Sequence, residues 1–371
     1  MDTVLLLGSF FPGQSLWSIK QGFEGIGCEV IYQPTRGCIR ASLDDDIALA
    51  NEEADVIADP SEWPLPYADV EAFKTALFKT IEARRPKLLL WWFSKDDQPP
   101  GLIRELREKF PWCKTVTHTQ DDPWDLLASP EFSADFEFAA TCCKESVAVY
   151  AERGIEAIVL YPPPALGLHR TAKPTPFEDC DFSVTVLSLY AKQGGDAADY
   201  LKSEDEVERI THTIAFPDQR ALRQDVVRTV NELGRVHIYG GLGFGVFDDI
   251  PRNCYRGFRT YFELPGLYQA AKISINQHNS PLSYGYLNQR DTAITGSGGF
   301  MLTDYVNGIE EIFEIGKEID TWETLDELAD KARWWLAHDD KRRDAARRAQ
   351  QRILENYGNQ AYACKLLAFV S

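Results

Sequence analysis

The chain has no unbroken apolar run of about 18 residues, so no segment of it is expected to cross a bilayer as a helix. Its opening stretch, MDTVLLLGSFF, carries neither a basic leader nor a long apolar core and reads as a first strand rather than a secretion signal. None of the eight cysteines (Cys28, Cys38, Cys113, Cys142, Cys143, Cys180, Cys254, Cys364) stands in a C-x-x-C pair, which removes zinc-ribbon and thioredoxin-like readings. Scattered through apolar segments, they read as reduced core thiols, and the cytoplasm is the expected compartment. Positive charge is also short: 39 Lys and Arg against 57 Asp and Glu leave a formal charge of −18. Such a field repels polyanions, so neither nucleic acid nor an anionic membrane is an expected partner, while a local basic groove stays compatible with a nucleotide. Internal repeats and low-complexity tracts are missing too. What is present is 371 residues, 44% hydrophobic and 26% charged, an ordinary globular make-up long enough for two domains.

The order of elements predicts an α/β protein. Residues 4–7 form an apolar strand running into a Gly-bearing loop, a helix over 15–25 and a second strand over 28–32. Strand, loop, helix, strand predicts a parallel sheet with right-handed crossovers. Residues 87–93, KLLLWWF, read as a strand buried on both faces. Helices over 69–85, 101–110 and 144–153, with strands over 113–117, 138–141 and 157–160, complete a first unit. Prolines at 162–164, 174 and 176 mark a linker. A second unit follows, with strands over 182–187, 236–239, 273–276 and 300–303 and helices over 220–233, 264–271, 324–338 and 341–357. The stretch 193–218 reads as an acidic excursion. The expected domains are 1–178, with 358–371 as a candidate return to it, and 179–357.

Residues 288–316, NQRDTAITGSGGFMLTDYVNGIEEIFEIG, read as a helix, a Gly-rich turn, a strand and a loop entering an acidic helix. Glycines let a backbone approach a ligand, and free N–H groups at turns and helix N-termini hold phosphate. Together with RVHIYG (235–240), ELPGLYQAAKISIN (263–276) and EEIFEIGK (310–317), this run resembles, over about residues 220–360, the glycosyltransferase family 1/4-like module of CgeB-type spore-maturation proteins. TQDDPW (119–124) is a weaker echo in the first half. The resemblance implies a GT-B fold, two Rossmann-like domains facing across a cleft, with the second binding a nucleotide sugar. One departure stands out. Where the family carries a glutamate commonly bound to the donor ribose this chain has Ala293, and where a second sits eight residues earlier it has Gly285. Asp291 is turned about 200° away on a helix, which makes it a poor substitute.

On the donor side the candidates are Arg290, whose guanidinium matches a diphosphate or else is a surface arginine, and Arg223, placed near the cleft by the resemblance or else solvated. Ser297, Gly298 and Gly299 form either a plain tight turn or, on the resemblance, a backbone contact with the donor. Gly240 and Gly241, Asn276 and His278, and Asp304 and Tyr305 end strands, where open α/β sheets bind ligands. Glu310, with Glu311, starts a helix, where a carboxylate suits the macrodipole; the resemblance also allows Glu310 a sugar or ribose hydroxyl. Gly8 and Ser9 belong to the acceptor side. His118 or Asp122, in a stretch that also contains Asp121 and otherwise reads as an Asp-Asp-Pro turn, is the candidate base for an acceptor hydroxyl. His237 is read as structural, Asp44-Asp45-Asp46 as a solvated turn rather than a metal site, and the basic run 341–352 as a solvated helix face. The expected activity is sugar transfer from a UDP- or GDP-linked donor to a hydroxyl acceptor, with no cofactor and no metal. The alternatives are a non-catalytic glycan- or partner-binding protein on the same fold and a nucleotide-sugar epimerase.

Overall fold

The structure is a computed structural model and describes residues 2–8, 15–35, 67, 69–92, 99–119, 122, 126, 133–164, 177–186, 216–240, 254, 256, 259, 263–278 and 283–371. Ser9, Cys38, Asp44–Asp46, Asp121, Gly241, residues 165–176 of the linker and residues 193–215 of the acidic stretch lie outside the described residues. The chain divides into two compact units, Met1–Lys173 with Tyr357–Ser371, and Pro174–Asn356.

The first unit holds a six-stranded sheet, β1 (Thr3–Gly8), β2 (Glu29–Pro34), β3 (Leu88–Trp92), β4 (Lys114–Thr119), β5 (Phe138–Thr141) and β6 (Glu156–Val159), in the order β2-β1-β3-β4-β5-β6. Every pairing is parallel. β1 and β3 carry apolar residues at successive positions because both faces are covered. Leu5, Leu7, Leu89 and Trp91 face α2 (Val70–Arg84) and α3 (Leu102–Lys109). Val4, Leu6, Leu88, Leu90 and Trp92 face α1 (Ser15–Gly25) and the C-terminal helix, whose Tyr362, Ala363, Leu366 and Val370 join that core. α1 accepts this helix closely because Gly22 has no side chain: a Cβ there would lie 2.1 Å from the Asn359 carbonyl oxygen. α4 (Lys144–Glu152) covers β5 and β6.

The second unit holds β7 (Cys180–Val186), β8 (Val236–Gly240), β9 (Ala271–Asn276), β10 (Met301–Asp304) and β11 (Asp320–Trp322), in the order β11-β10-β9-β7-β8 and again parallel. Its helices are α5 (Phe216–Asn231), α6 (Leu264–Ala270), α7 (Gln289–Gly296), α8 (Leu325–Ala337) and α9 (Asp339–Asn356); α10 (Asn359–Val370) is the helix returned to the first unit. Unlike β1 and β3, the strands of this sheet alternate. Phe182, Val184, Val236, Ile238, Ile273, Ile275 and Leu302 join one apolar core. The intervening positions are polar and still buried, because they pair with one another and with the covering elements: Ser183 with Ser274 at 2.9 Å, and Thr185 with Tyr268 at 3.1 Å.

Several expectations change in detail. The acidic helix expected from 310 is a single 3-10 turn, Ile309–Glu311, bounded by Gly308 (φ 93°) and by an irregular stretch reaching Gly316 (φ 78°). In the basic run, Arg342 is buried, donating to the Trp335 carbonyl and pairing with Asp339. Arg343, Arg347 and Arg348 form ion pairs on the outside of α9, and Arg352 reaches off the helix to the buried Glu318. Cys364 is exposed rather than in the core and Cys28 is half-buried. Among the described residues no helix is long and apolar enough to cross a membrane.

Candidate functional site

Both sheets follow the strand order 2-1-3-4-5, in which ligands bind beyond the strand C-termini near the switch between the first and third strands. In the second unit that edge includes the ends of β7, β9 and β10 and the start of α7. Four expected residues meet there. His278, fully buried, donates its Nδ1 to Asp304 Oδ1 at 2.7 Å and its Nε2 to Asp291 Oδ2 at 2.9 Å. Its backbone N–H also reaches both Asp304 oxygens at 3.0 Å. Burial opposes charge on this ring, but the Asp291 and Asp304 carboxylates outweigh it and push the pKa up to about 10, so the ring is an imidazolium. Asp291 Oδ1 accepts from Asn276 Nδ2 at 2.9 Å, and Asn276 Oδ1 accepts from Arg290 Nε at 2.8 Å. Arg290 also donates to the Gln277 carbonyl at 2.7 Å. Among the described residues no carboxylate pairs with this half-buried guanidinium.

α7 is set locally by Asn288, whose side chain accepts from the Arg290 N–H at 2.8 Å, while Asp291 accepts from the Asn288 N–H at 2.8 Å. This is a capping box, which fixes the start of the helix and so the direction of Arg290. Sequence reasoning weighed Asp291 only as a ribose ligand and passed over Asn288. The Asn-x-x-Asp spacing carried that signal. Buried with all its oxygens engaged, Asp291 is unavailable to a ribose. The half-exposed face of α7 instead carries Gln289, Arg290 and Ala293. Gly285 has φ 67°, a conformation glycine tolerates and a glutamate would strain.

Ser297, Gly298 and Gly299 require correction. They precede β10 and end α7, which places them at the opposite edge of the sheet from Arg290. Their N–H groups are not free: Ser297 donates to Ala293, Gly298 to Thr295 and Gly299 to Ile294. This is a helix C-terminus, whose carbonyl end repels phosphate. Gly299 is glycine because α6 packs there, a Cβ lying 3.0 Å from Tyr268 Cβ.

The other donor-side positions are dispersed. Gly240 ends β8, the edge strand, and Arg223 is the eighth residue of α5, about 10 Å along from its start. Tyr305 follows β10, and its hydroxyl donates to the exposed Glu310 at 3.3 Å. His237 is buried in β8, with Nε2 facing Arg256 at 2.9 Å, as its structural reading implied.

In the first unit Gly8 ends β1, against Trp92 at the end of β3; a Cβ there would sit 2.9 Å from Trp92 Cβ. His118 lies within β4 rather than after it. Fully buried, it faces the Tyr362 hydroxyl at 2.6 Å through Nδ1 and packs against Trp92, and burial pushes its pKa down to about 3. So weak a base does not suit proton abstraction, which removes His118 from the catalytic candidates. Asp122 stays. It is fully buried, accepts from the Thr119 hydroxyl and from the Tyr150 hydroxyl at 3.1 Å, and burial raises its pKa against those hydrogen bonds. A carboxyl tuned upward in this way is suited to general acid–base work. Among the described residues no group of three or more His, Cys, Asp or Glu is placed to hold a metal ion.

Residues 219–368 match a family model described as glycosyl transferase-like. No curated protein matches the chain. Among solved structures, a glycosyltransferase from Rickettsia africae is similar at 10% identity and TM-score 0.55, covering 100% of this chain and 97% of that one. A sucrose-phosphate synthase from Thermosynechococcus elongatus is similar at 10% identity and TM-score 0.55, over 99% and 98%. Anabaena HepE in complex with UDP and glucose is similar at 10% identity and TM-score 0.52, over 99% and 99%. The fold is accordingly that of the GT-B glycosyltransferases: two Rossmann-like α/β units, each on a parallel sheet.

Proposed function

We propose that the chain is a cytoplasmic glycosyltransferase that moves a sugar from a nucleotide-diphosphate donor to a hydroxyl acceptor. The observation that carries this reading is Arg290, a guanidinium held by Asn276 and Gln277 at the ligand-binding edge of the second sheet with no carboxylate partner among the described residues. It lies inside the segment that matches the glycosyl transferase-like model. A fixed guanidinium offers bidentate hydrogen bonds to a diphosphate and stabilises the charge that develops on it as the glycosidic bond breaks. In this reaction the acceptor oxygen bonds to the anomeric carbon, the electron pair of the broken bond leaves on the nucleoside diphosphate, and the acceptor proton goes to a base. Asp122 in the first unit is our candidate for that base. The reading calls for no cofactor and no metal, since Arg290 supplies the positive charge. UDP is the nucleotide to try first, because HepE, of the same fold, has been captured with UDP.

Titration calorimetry with UDP- and GDP-sugars tests the proposal. Binding that weakens by about 30-fold in Arg290→Ala, with slow release of free nucleotide from the wild type, is the expected result; no binding by any nucleoside diphosphate or nucleotide sugar refutes it. A non-catalytic binding protein on the same fold is the second reading. It is favoured by Ala293, by the glycine conformation at Gly285 and by the engagement of Asp291, which together leave both family carboxylate positions empty of acid. Donor binding without any turnover, with or without added acceptors, would select it.

A further inference from the structure

The buried cluster of the second unit contains a directional chain that ends at the proposed donor-binding arginine. A carboxylate only accepts hydrogen bonds and a guanidinium only donates them, whereas an amide has one end of each kind. Asn276 lies between the two, 1% exposed, with Nδ2 on Asp291 Oδ1 at 2.9 Å and Oδ1 on Arg290 Nε at 2.8 Å. Only one orientation of that amide satisfies both neighbours, and water has no access to stand in. The other oxygen of Asp291 is fixed by the His278 ring at 2.9 Å and the Asn288 N–H at 2.8 Å. The carboxylate is thus pinned from strand β9 and from the N-terminus of α7 together.

We propose that Asp291 is a positioning residue which, through the amide of Asn276, orients the Arg290 guanidinium toward the diphosphate of the nucleotide donor; this rests on the reading of Arg290 given above. Asp291 touches no substrate. Its effect passes through the polarity of one amide. In Asp291→Asn, the retained oxygen stays with its two donors, His278 and the Asn288 N–H, and the new amide nitrogen meets Asn276 Nδ2, donor against donor. Asn276 then turns over and presents its nitrogen to Arg290 Nε, which leaves the guanidinium on the Gln277 carbonyl without the contact that fixes its direction. One isosteric change, two hydrogen bonds away from the arginine, turns its guanidinium from the diphosphate.

The test compares UDP with uridine by competition titration, with GDP and guanosine as the second pair of probes. Loss of one charge-assisted phosphate contact should weaken the diphosphate by about 30-fold and leave the nucleoside unchanged. Asp291→Asn and Arg290→Ala should each show that loss, and the double variant no more than either. Asn276→Asp placed on Asp291→Asn should recover about tenfold, since a carboxylate at position 276 accepts both from the amide introduced at position 291 and from Arg290. A merely structural role would weaken nucleoside and diphosphate together and would not be rescued. Should Asp291→Asn fail to fold, Asn276→Ala, which leaves both His278–carboxylate pairs in place, must show the same diphosphate-specific loss. Folded variants that keep the wild-type ratio of UDP to uridine affinity overturn the inference and leave the reading of Arg290 standing. A wild-type protein that binds none of these diphosphates overturns both.

Discussion

His278 gives the second unit an alkaline limit whose size can be worked out. The ring is charged in the folded state, with its pKa pushed up to about 10 by Asp291 and Asp304, against an ordinary value of 6.5. A group raised in this way contributes stability that is fully present below the unfolded value and is lost as pH rises through the folded one. Between about pH 7 and pH 10 the folded protein holds one proton that the unfolded chain has released, so stability falls by about 1.4 kcal/mol per pH unit. From pH 7.5 to pH 9.0 that amounts to about 2 kcal/mol, a large part of the 5–15 kcal/mol of an ordinary domain. Buried thiols add a loss of the same sign at the upper end, because burial raises Cys180 and Cys113 to about 12 and Cys143 to about 11. The informative quantity is therefore the difference between wild type and His278→Gln, in which the thiols cancel. Urea unfolding read by pulse proteolysis, with fragments assigned to the second unit by mass spectrometry, measures it. His278→Gln should be less stable at pH 7, since it leaves two buried carboxylates without their cation, and its stability should fall more slowly with pH. Parallel curves for the two proteins between pH 7.5 and pH 9.0 would show that the ring carries no charge in the fold.

His118 gives the first unit the opposite slope. Its pKa is pushed down to about 3 by burial, so its contribution is complete above about pH 6.5 and is lost as pH falls toward 3; His118→Phe should flatten acid unfolding of that unit, followed by the same proteolysis. Gly22→Ala should cost about 3 kcal/mol and expose the C-terminal helix to limited proteolysis, because the obstacle to the new methyl is the Asn359 backbone. Asp122→Asn should keep the fold and the donor affinity while lowering turnover by about 100-fold or more; unchanged turnover would remove Asp122 from the reaction.

Much of the architecture was legible because burial writes a plain signal. Residues 4–7 and 87–93 are apolar without alternation, as strands covered on both faces must be. The second sheet is less plainly marked, since its second face is polar and buried, which pairings such as Ser183 with Ser274 and Thr185 with Tyr268 make possible. β11 was missed: three residues of an edge strand, Asp320–Trp322, are too few to show a period. At the site, Asn276, His278 and Asp304 could be placed together in advance, because they end adjacent parallel strands. That both ring nitrogens of His278 would face carboxylates could not, for it depends on the register of β9 and β10 and on the turn at which α7 begins.

The misreading of Gly298 and Gly299 is more instructive than these gaps. Glycine marks a place where backbone must come close to something, and the residue type does not say whether that is a phosphate or another helix. Here it is α6, with Tyr268 Cβ 3.0 Å from where a Cβ on Gly299 would stand. Topology supplies the missing distinction. In a parallel sheet, residues that precede a strand stand at its N-terminal edge, and those that follow the previous strand and open the connecting helix stand at the ligand-binding edge. α7 spans the two: Arg290, held by a capping box, is in its first turn, and Gly298 and Gly299 lie just beyond its last. The positive end of the helix macrodipole and the Arg290 guanidinium therefore coincide at the same edge, and the negative end coincides with the glycines. On the proposed reading anion recognition in this unit belongs to the start of α7, so substitutions at its glycine end should alter stability while leaving nucleotide affinity in the folded protein unchanged.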